Sequence, residues 1–135
     1  MCIRDSNSNA EGAEQVAEDC KAAGAETLVL QANVAMDKAC VAMVQAASEK
    51  WGRVDVLVNN AGTTKFVDHS RLEGLSAEDF QRIYSVNVVG AYQMTRAVSP
   101  LMQAQEEGGA VVNVCLLYTS PSPRDISGSR MPSSA

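Results

Sequence analysis

The chain lacks a long apolar run. No stretch approaches the roughly 18 residues of a membrane span, and the N-terminus has no apolar segment of the kind that directs export. A membrane partner is excluded and a cytoplasmic location is expected. Basic residues are in deficit: 11 Lys and Arg against 16 Asp and Glu, a net charge of -5. Nucleic acid is therefore excluded as a general partner, because phosphate binding needs a basic face. The four cysteines lack paired spacing, so neither a disulfide framework nor a zinc site is expected. Reduced thiols fit that reading. The lone histidine, His69, has no Cys or His beside it and reads as a surface residue; no metal is expected. Internal repeats are missing too.

What is present is enough for one ordinary domain: 135 residues, 46% of them hydrophobic. Ala13, Val16, Ala17, Cys20 and Ala23 share a helical face, and Gly24 follows as a stop. A short buried strand is expected at 27–31. A second helix turns Cys40, Val41, Val44, Ala47 and Trp51 inward and stops at Gly52. Cys20 and Cys40 read as small core residues and Trp51 as a core anchor. A strand at 54–58 runs into Asn59-Asn60-Ala61-Gly62. Ser76 to Asp79 forms a capping box and opens a long helix, 76–104. Phe80, Ile83, Tyr84, Asn87, Ala91, Met94, Ala97, Val98 and Leu101 are expected on its inner stripe. Pro100 should kink that helix or end a segment of it. A buried strand follows at 110–114. Helices alternating with strands imply parallel pairing in a doubly wound α/β fold.

In such sheets ligands bind beyond the carboxyl ends of the strands. Asn33 and Val34 follow the strand 27–31, and Asn59 to Gly62 follow 54–58. Asn87 lies on the inward stripe of the long helix, where a buried carboxamide needs partners. Asn-Ala-Gly is small enough to let a flat ligand approach the backbone. Taken singly, each feature also reads as an ordinary turn or a structural asparagine.

Together, DVLVNNAG (55–62), FQRIYSVNVVGAYQMTRAVSPLM (80–102) and GGAVVNV (108–114) resemble the short-chain dehydrogenase/reductase family. The likeness covers about residues 7–114 and is nearest to 3-oxoacyl-carrier-protein reductases. It implies a partial Rossmann-type sheet, a nicotinamide cofactor (NADP or NAD), and hydride transfer to or from a small carbonyl or alcohol substrate. By position, Asn33 and Val34 would hold the adenine, though the family more often has aspartate at the first. Asn59 would brace neighbouring strands, and the backbone of Asn59, Asn60, Ala61 and Gly62 would line the ribose. Asn87 matches the asparagine of the family's Asn-Ser-Tyr-Lys catalytic set, whose carbonyl region holds a proton-relaying water. The helix 76–104 resembles the family's subunit-packing helix, implying a dimeric or tetrameric parent. Asn7 and Ser8, near the end of the family's second strand, lean towards NADP.

The two ends read differently. MCIRDS (1–6) can be encoded by a DNA string that, preceded by AG, has a reverse complement readable as Cys-Leu-Leu-Tyr-Thr-Ser, residues 115–120. Inverted copies of one DNA element have no rationale at the protein level. The element resembles the transposase end used in sequencing libraries, and the Ser/Pro-rich remainder resembles its adapter. Residues 1–6 and 115–135 are therefore expected to be translated adapter DNA, leaving 7–114 as a partial dinucleotide-binding domain. The family's first strand with its Gly-rich loop, most of the second strand, and the C-terminal half with Ser and Tyr-x-x-x-Lys are expected to be missing. Tyr118 has Ser122 four residues on, not lysine. In the family's strand order, 3-2-1-4-5-6-7, the strand 27–31 would then lack its neighbour and expose an aggregation-prone edge. The expected fragment is inactive. The competing reading is a non-catalytic nucleotide-binding regulator with the same fold.

Overall fold

A computed structural model describes residues 2–5, 10–68 and 70–114, with the backbone alone for 2–5 and 10. Asn7, Ser8, His69, Tyr118 and the rest of 115–135 lie outside the described residues. Among the described residues four strands and four α-helices follow in the order β1 (Cys2–Asp5), α1 (Ala10–Ala22), β2 (Thr27–Leu30), α2 (Asp37–Trp51), β3 (Val56–Asn59), α3 (Ala77–Tyr84), α4 (Ala91–Ala104) and β4 (Ala110–Asn113). A short 3-10 turn, Leu72–Gly74, precedes α3, and a π-helical turn, Ser85–Gly90, joins α3 to α4.

The strands form two pairs. β1 lies beside β2, with Cys2 opposite Thr27 and Asp5 opposite Leu30. β3 lies beside β4, with Val56 opposite Ala110 and Asn59 opposite Asn113. The strand expected to lack a neighbour thus has one, and it comes from the segment set aside as adapter. Ladder bonds are made by backbone and ask little of side-chain identity. No ladder joins the two pairs among the described residues. That break falls between the strands that the family order would separate by its first strand.

α2 and α4 pack together and carry the core. Ala32, Val34, Cys40, Met43 and Met94 form one cluster, with Leu30 and Leu57 reaching into it from β2 and β3. Ala47, Val54, Val98 and Met102 form a second, edged by Trp51 and Leu101. Ala13 and Ala17 of α1 are buried as well, while Cys20 is half-buried and Ala23 exposed. Trp51 is half-buried at the core's margin, where its indole N–H donates to Glu26 Oε2 at 2.8 Å. Gly52 ends α2 at φ 73°, its N–H bonded to Ser48 O. A side chain there would be strained, which is why the sequence has glycine.

Three expectations about facing are corrected. Val41 is exposed, and Met43 takes the inward place on α2. Phe80 and Tyr84 are also exposed, at 63% and 60%. The π turn adds a residue to the helical repeat, so α3 and α4 do not share one phase. The inner stripe begins at Gly90 and continues through Met94, Val98 and Met102. The strand 110–114 is exposed rather than buried, with Val111, Val112 and Val114 at 39%, 46% and 53%. Pro100 does not end α4, which runs one further turn to Ala104.

Candidate functional site

The residues singled out from sequence converge on a cleft of ≈ 640 Å³ beyond the carboxyl ends of β3 and β4. Val34, Asn59, Asn60, Ala61, Gly62 and Asn87 all line it. Asn33 does not. Its Oδ1 accepts the Ala35 N–H at 3.0 Å, and its carbonyl accepts the Met36 N–H at 2.9 Å. It shapes the turn that delivers Val34 to the rim.

Asn59 ends β3 and holds three elements together. Its Nδ2 is 2.9 Å from Asn113 Oδ1 on β4, 3.3 Å from Thr95 Oγ1 and 3.4 Å from Ala91 O on α4. After it the chain leaves the sheet. The backbone groups of Asn60, Ala61 and Gly62 have no hydrogen-bond partner among the described residues. A Cβ built on Gly62 would meet only Asn87 Oδ1, at 3.8 Å. This backbone is open to whatever enters the cleft.

Asn87 sits in the π turn. The segment SVNVVG is rich in β-branched valine, which favours a regular helix least among aliphatic residues. Asn87 Oδ1 accepts the Thr63 N–H at 2.8 Å, and its Nδ2 donates to Thr63 O at 3.0 Å. Both ends of the carboxamide are therefore bonded to one backbone residue. At the end of the turn, Gly90 lies against Val34: a Cβ there would be 2.7 Å from Val34 Cγ2. Helix and cleft rim meet at a distance only glycine permits. Cys40, buried beneath, donates its thiol to Val34 O at 3.3 Å.

Next to the cleft, Lys65 Nζ lies 2.6 Å from Asp79 Oδ2. That hydrogen bond, with those of the capping box at Ser76, lowers the Asp79 carboxyl to about 2. The Glu78 carboxyl is also lowered, by backbone and Ser76 hydrogen bonds at the start of α3. Among the described residues there is no group of three His, Cys, Asp or Glu that could hold a metal ion. No described helix is long and apolar enough to cross a membrane.

Asn113, Thr95 and Gly90 line the cleft without having been singled out in advance. Asn113 was within reach: it falls in register with Asn59, and parallel pairing of the two Asn-ended strands brings their amides together. Gly90 and Thr95 gave no sequence signal, since their place depends on the π turn.

Residues 2–122 match the family model described as short chain dehydrogenase. An oxidoreductase of Methylorubrum extorquens, itself named uncharacterized, is 36% identical over 108 residues, covering 80% of this chain and 41% of that protein. The 3-oxoacyl-[acyl-carrier-protein] reductase of Synechocystis is 35% identical over 102 residues, covering 76% and 40%. Among solved structures, an alcohol dehydrogenase from the archaeon Thermococcus sibiricus, complexed with 5-hydroxy-NADP, superposes with a TM-score of 0.70 at 26% identity, covering 82% and 45%. The chain spans about two fifths of the length of the curated relatives it matches.

Proposed function

Because the chain belongs to the short-chain dehydrogenase family, we propose that it is part of an NAD(P)-dependent oxidoreductase. The full protein moves a hydride between the nicotinamide and a small carbonyl or alcohol substrate. The observation that carries this reading is the convergence of Val34, the open backbone of Asn60 to Gly62, and Asn87 on one cleft.

The residues fit such a coenzyme. Apolar Val34 offers a surface for the adenine, with Asn33 behind it as the turn that positions it. The backbone groups of Asn60, Ala61 and Gly62, without partners among the described residues, suit ribose hydroxyls, with Asn59 bracing the strand ends beneath them. When bound, the coenzyme supplies or accepts the hydride. Asn87 contributes through the π-turn backbone, where a water can be held, because its side chain is committed to Thr63. We assign NADP ahead of NAD; the Thermococcus relative's complex with 5-hydroxy-NADP supports the nicotinamide class. The reading as a non-catalytic regulator is not favoured, since the relatives carry the names of oxidoreductases and reductases.

Residues 7–114 are assigned to the dinucleotide-binding part, and 1–6 and 115–135 to translated adapter, although the family match runs across both junctions. The exposed Phe80, Tyr84 and Val88 support association of the full protein as a dimer or tetramer through the 76–104 segment. None of the chain's three tyrosines, Tyr84, Tyr92 and Tyr118, has lysine four residues on. The pair that would act as general acid/base is therefore not in these 135 residues.

Reading the source DNA past both junctions and assaying the full product with a 3-oxoacyl ester and NADPH or NADH tests the assignment. Coenzyme-dependent reduction is the expected result, with none from the 135-residue chain itself. Turnover by that chain, or a full product that never consumes coenzyme, overturns it.

A further inference from the structure

The stretch just beyond the cleft backbone is gripped by Asn87 of the cleft wall and by side chains of α3. Thr63 carries three side-chain bonds: two to its backbone from Asn87, and one to its Oγ1 from Arg82 Nη1 at 2.9 Å. Two residues on, Lys65 Nζ meets Asp79 Oδ2, and Asp79 Oδ1 lies 3.6 Å from Arg82 Nη2. Asp79 and Arg82 are one turn apart on α3, so their side chains are neighbours about 5–6 Å apart. Thr63 and Lys65 are two residues apart in the irregular segment that follows Gly62, and each is bonded to a side chain of α3. The helix therefore grips the segment at two points. Asp79 is the hub, with its side chain only 14% exposed, and the capping box with Ser76 fixes its rotamer.

We propose that Arg82 and Asp79 are positioning residues that hold Thr63, and through it the open backbone of Asn60 to Gly62, in the orientation that receives the coenzyme. The proposal rests on the coenzyme reading of the cleft. Neither residue lines the cleft, so both act through Thr63 and Lys65. An isolated exposed ion pair contributes little. Here a shared carboxylate and a bidentate carboxamide converge on three residues, and that coupling is what can set a backbone.

The test has two arms. In this chain, amide hydrogen exchange at Thr63 is followed in Arg82→Gln, Thr63→Val and the double variant. Each single change should speed Thr63 exchange about threefold, with the double no worse than either single. Amides of α3 should be unchanged, which separates loss of the grip from loss of the fold. In the full-length protein, Arg82→Gln should raise the NADPH dissociation constant by a similar factor, and Arg82→Lys should restore part of it. Unaltered Thr63 exchange overturns the grip. Faster exchange with unaltered NADPH affinity overturns its positioning role. A wild-type protein that binds neither NADPH nor NADH overturns the coenzyme reading, while the exchange arm still decides the grip.

Discussion

Gly90 and Asp79 show how much single residues decide here. Gly90 lets the π turn touch Val34, and a methyl at 2.7 Å from Val34 Cγ2 has to displace the rim or the helix. Gly90→Ala is expected to destabilise by about 1–3 kcal/mol on urea unfolding. It should also weaken coenzyme binding in the full protein more than its stability loss explains. Asp79 is lowered in the fold from 3.8 to about 2, chiefly by Lys65. A depressed carboxyl stabilises above its unfolded pKa and loses that contribution as pH falls towards the folded one. Melting temperature should therefore fall more steeply from pH 4 to 2 in the wild type than in Asp79→Asn. Equal slopes would show that Asp79 carries no such linkage. Asn59 and Asn87 were legible as polar residues at strand end and helix interior, because a buried amide must find partners. Asn113 could be reached through the parallel register with Asn59, but Thr63 as the partner of Asn87 was not legible, since those two meet only through the tertiary fold.

At the scale of elements, local signals predicted helix starts and stops well. The capping box at Ser76 forms as the sequence implies, with Ser76 Oγ accepting the Asp79 N–H and Asp79 accepting the Ser76 N–H. Ser76→Ala should cost about 1 kcal/mol in thermal or urea unfolding, and should also loosen Lys65 by freeing the Asp79 rotamer. A change within a few tenths would contradict the cap's role. Periodicity failed across Ser85–Gly90, because reading a stripe from Phe80 to Leu101 assumes one helical repeat throughout. The π turn breaks that phase, turning Phe80 and Tyr84 outward and Gly90 inward. Three valines and an asparagine in six residues were the available sign of an irregular turn, but side-chain bonding to a distant loop fixes it.

At the scale of the molecule, two parallel strand pairs share the α2–α4 core, with no ladder between them among the described residues. Alternating elements announced a parallel α/β sheet, and the family resemblance gave the strand order. The partner of β2 could not be foreseen, because backbone pairing does not require a particular sequence in β1. The break between the pairs and the exposed valines of β3 and β4 fit the proposal that these residues are part of a larger sheet.

We propose the cleft at Val34, Asn60 to Gly62 and Asn113 as a coenzyme site. Titrating the isotope-labelled chain with NADPH while recording backbone amide shifts tests it most directly. Saturable shifts confined to Val34, Ala61, Gly62 and Asn113 are expected, with a dissociation constant of about 1 mM or tighter. Shifts centred elsewhere, or none at about ten times that concentration, would contradict it.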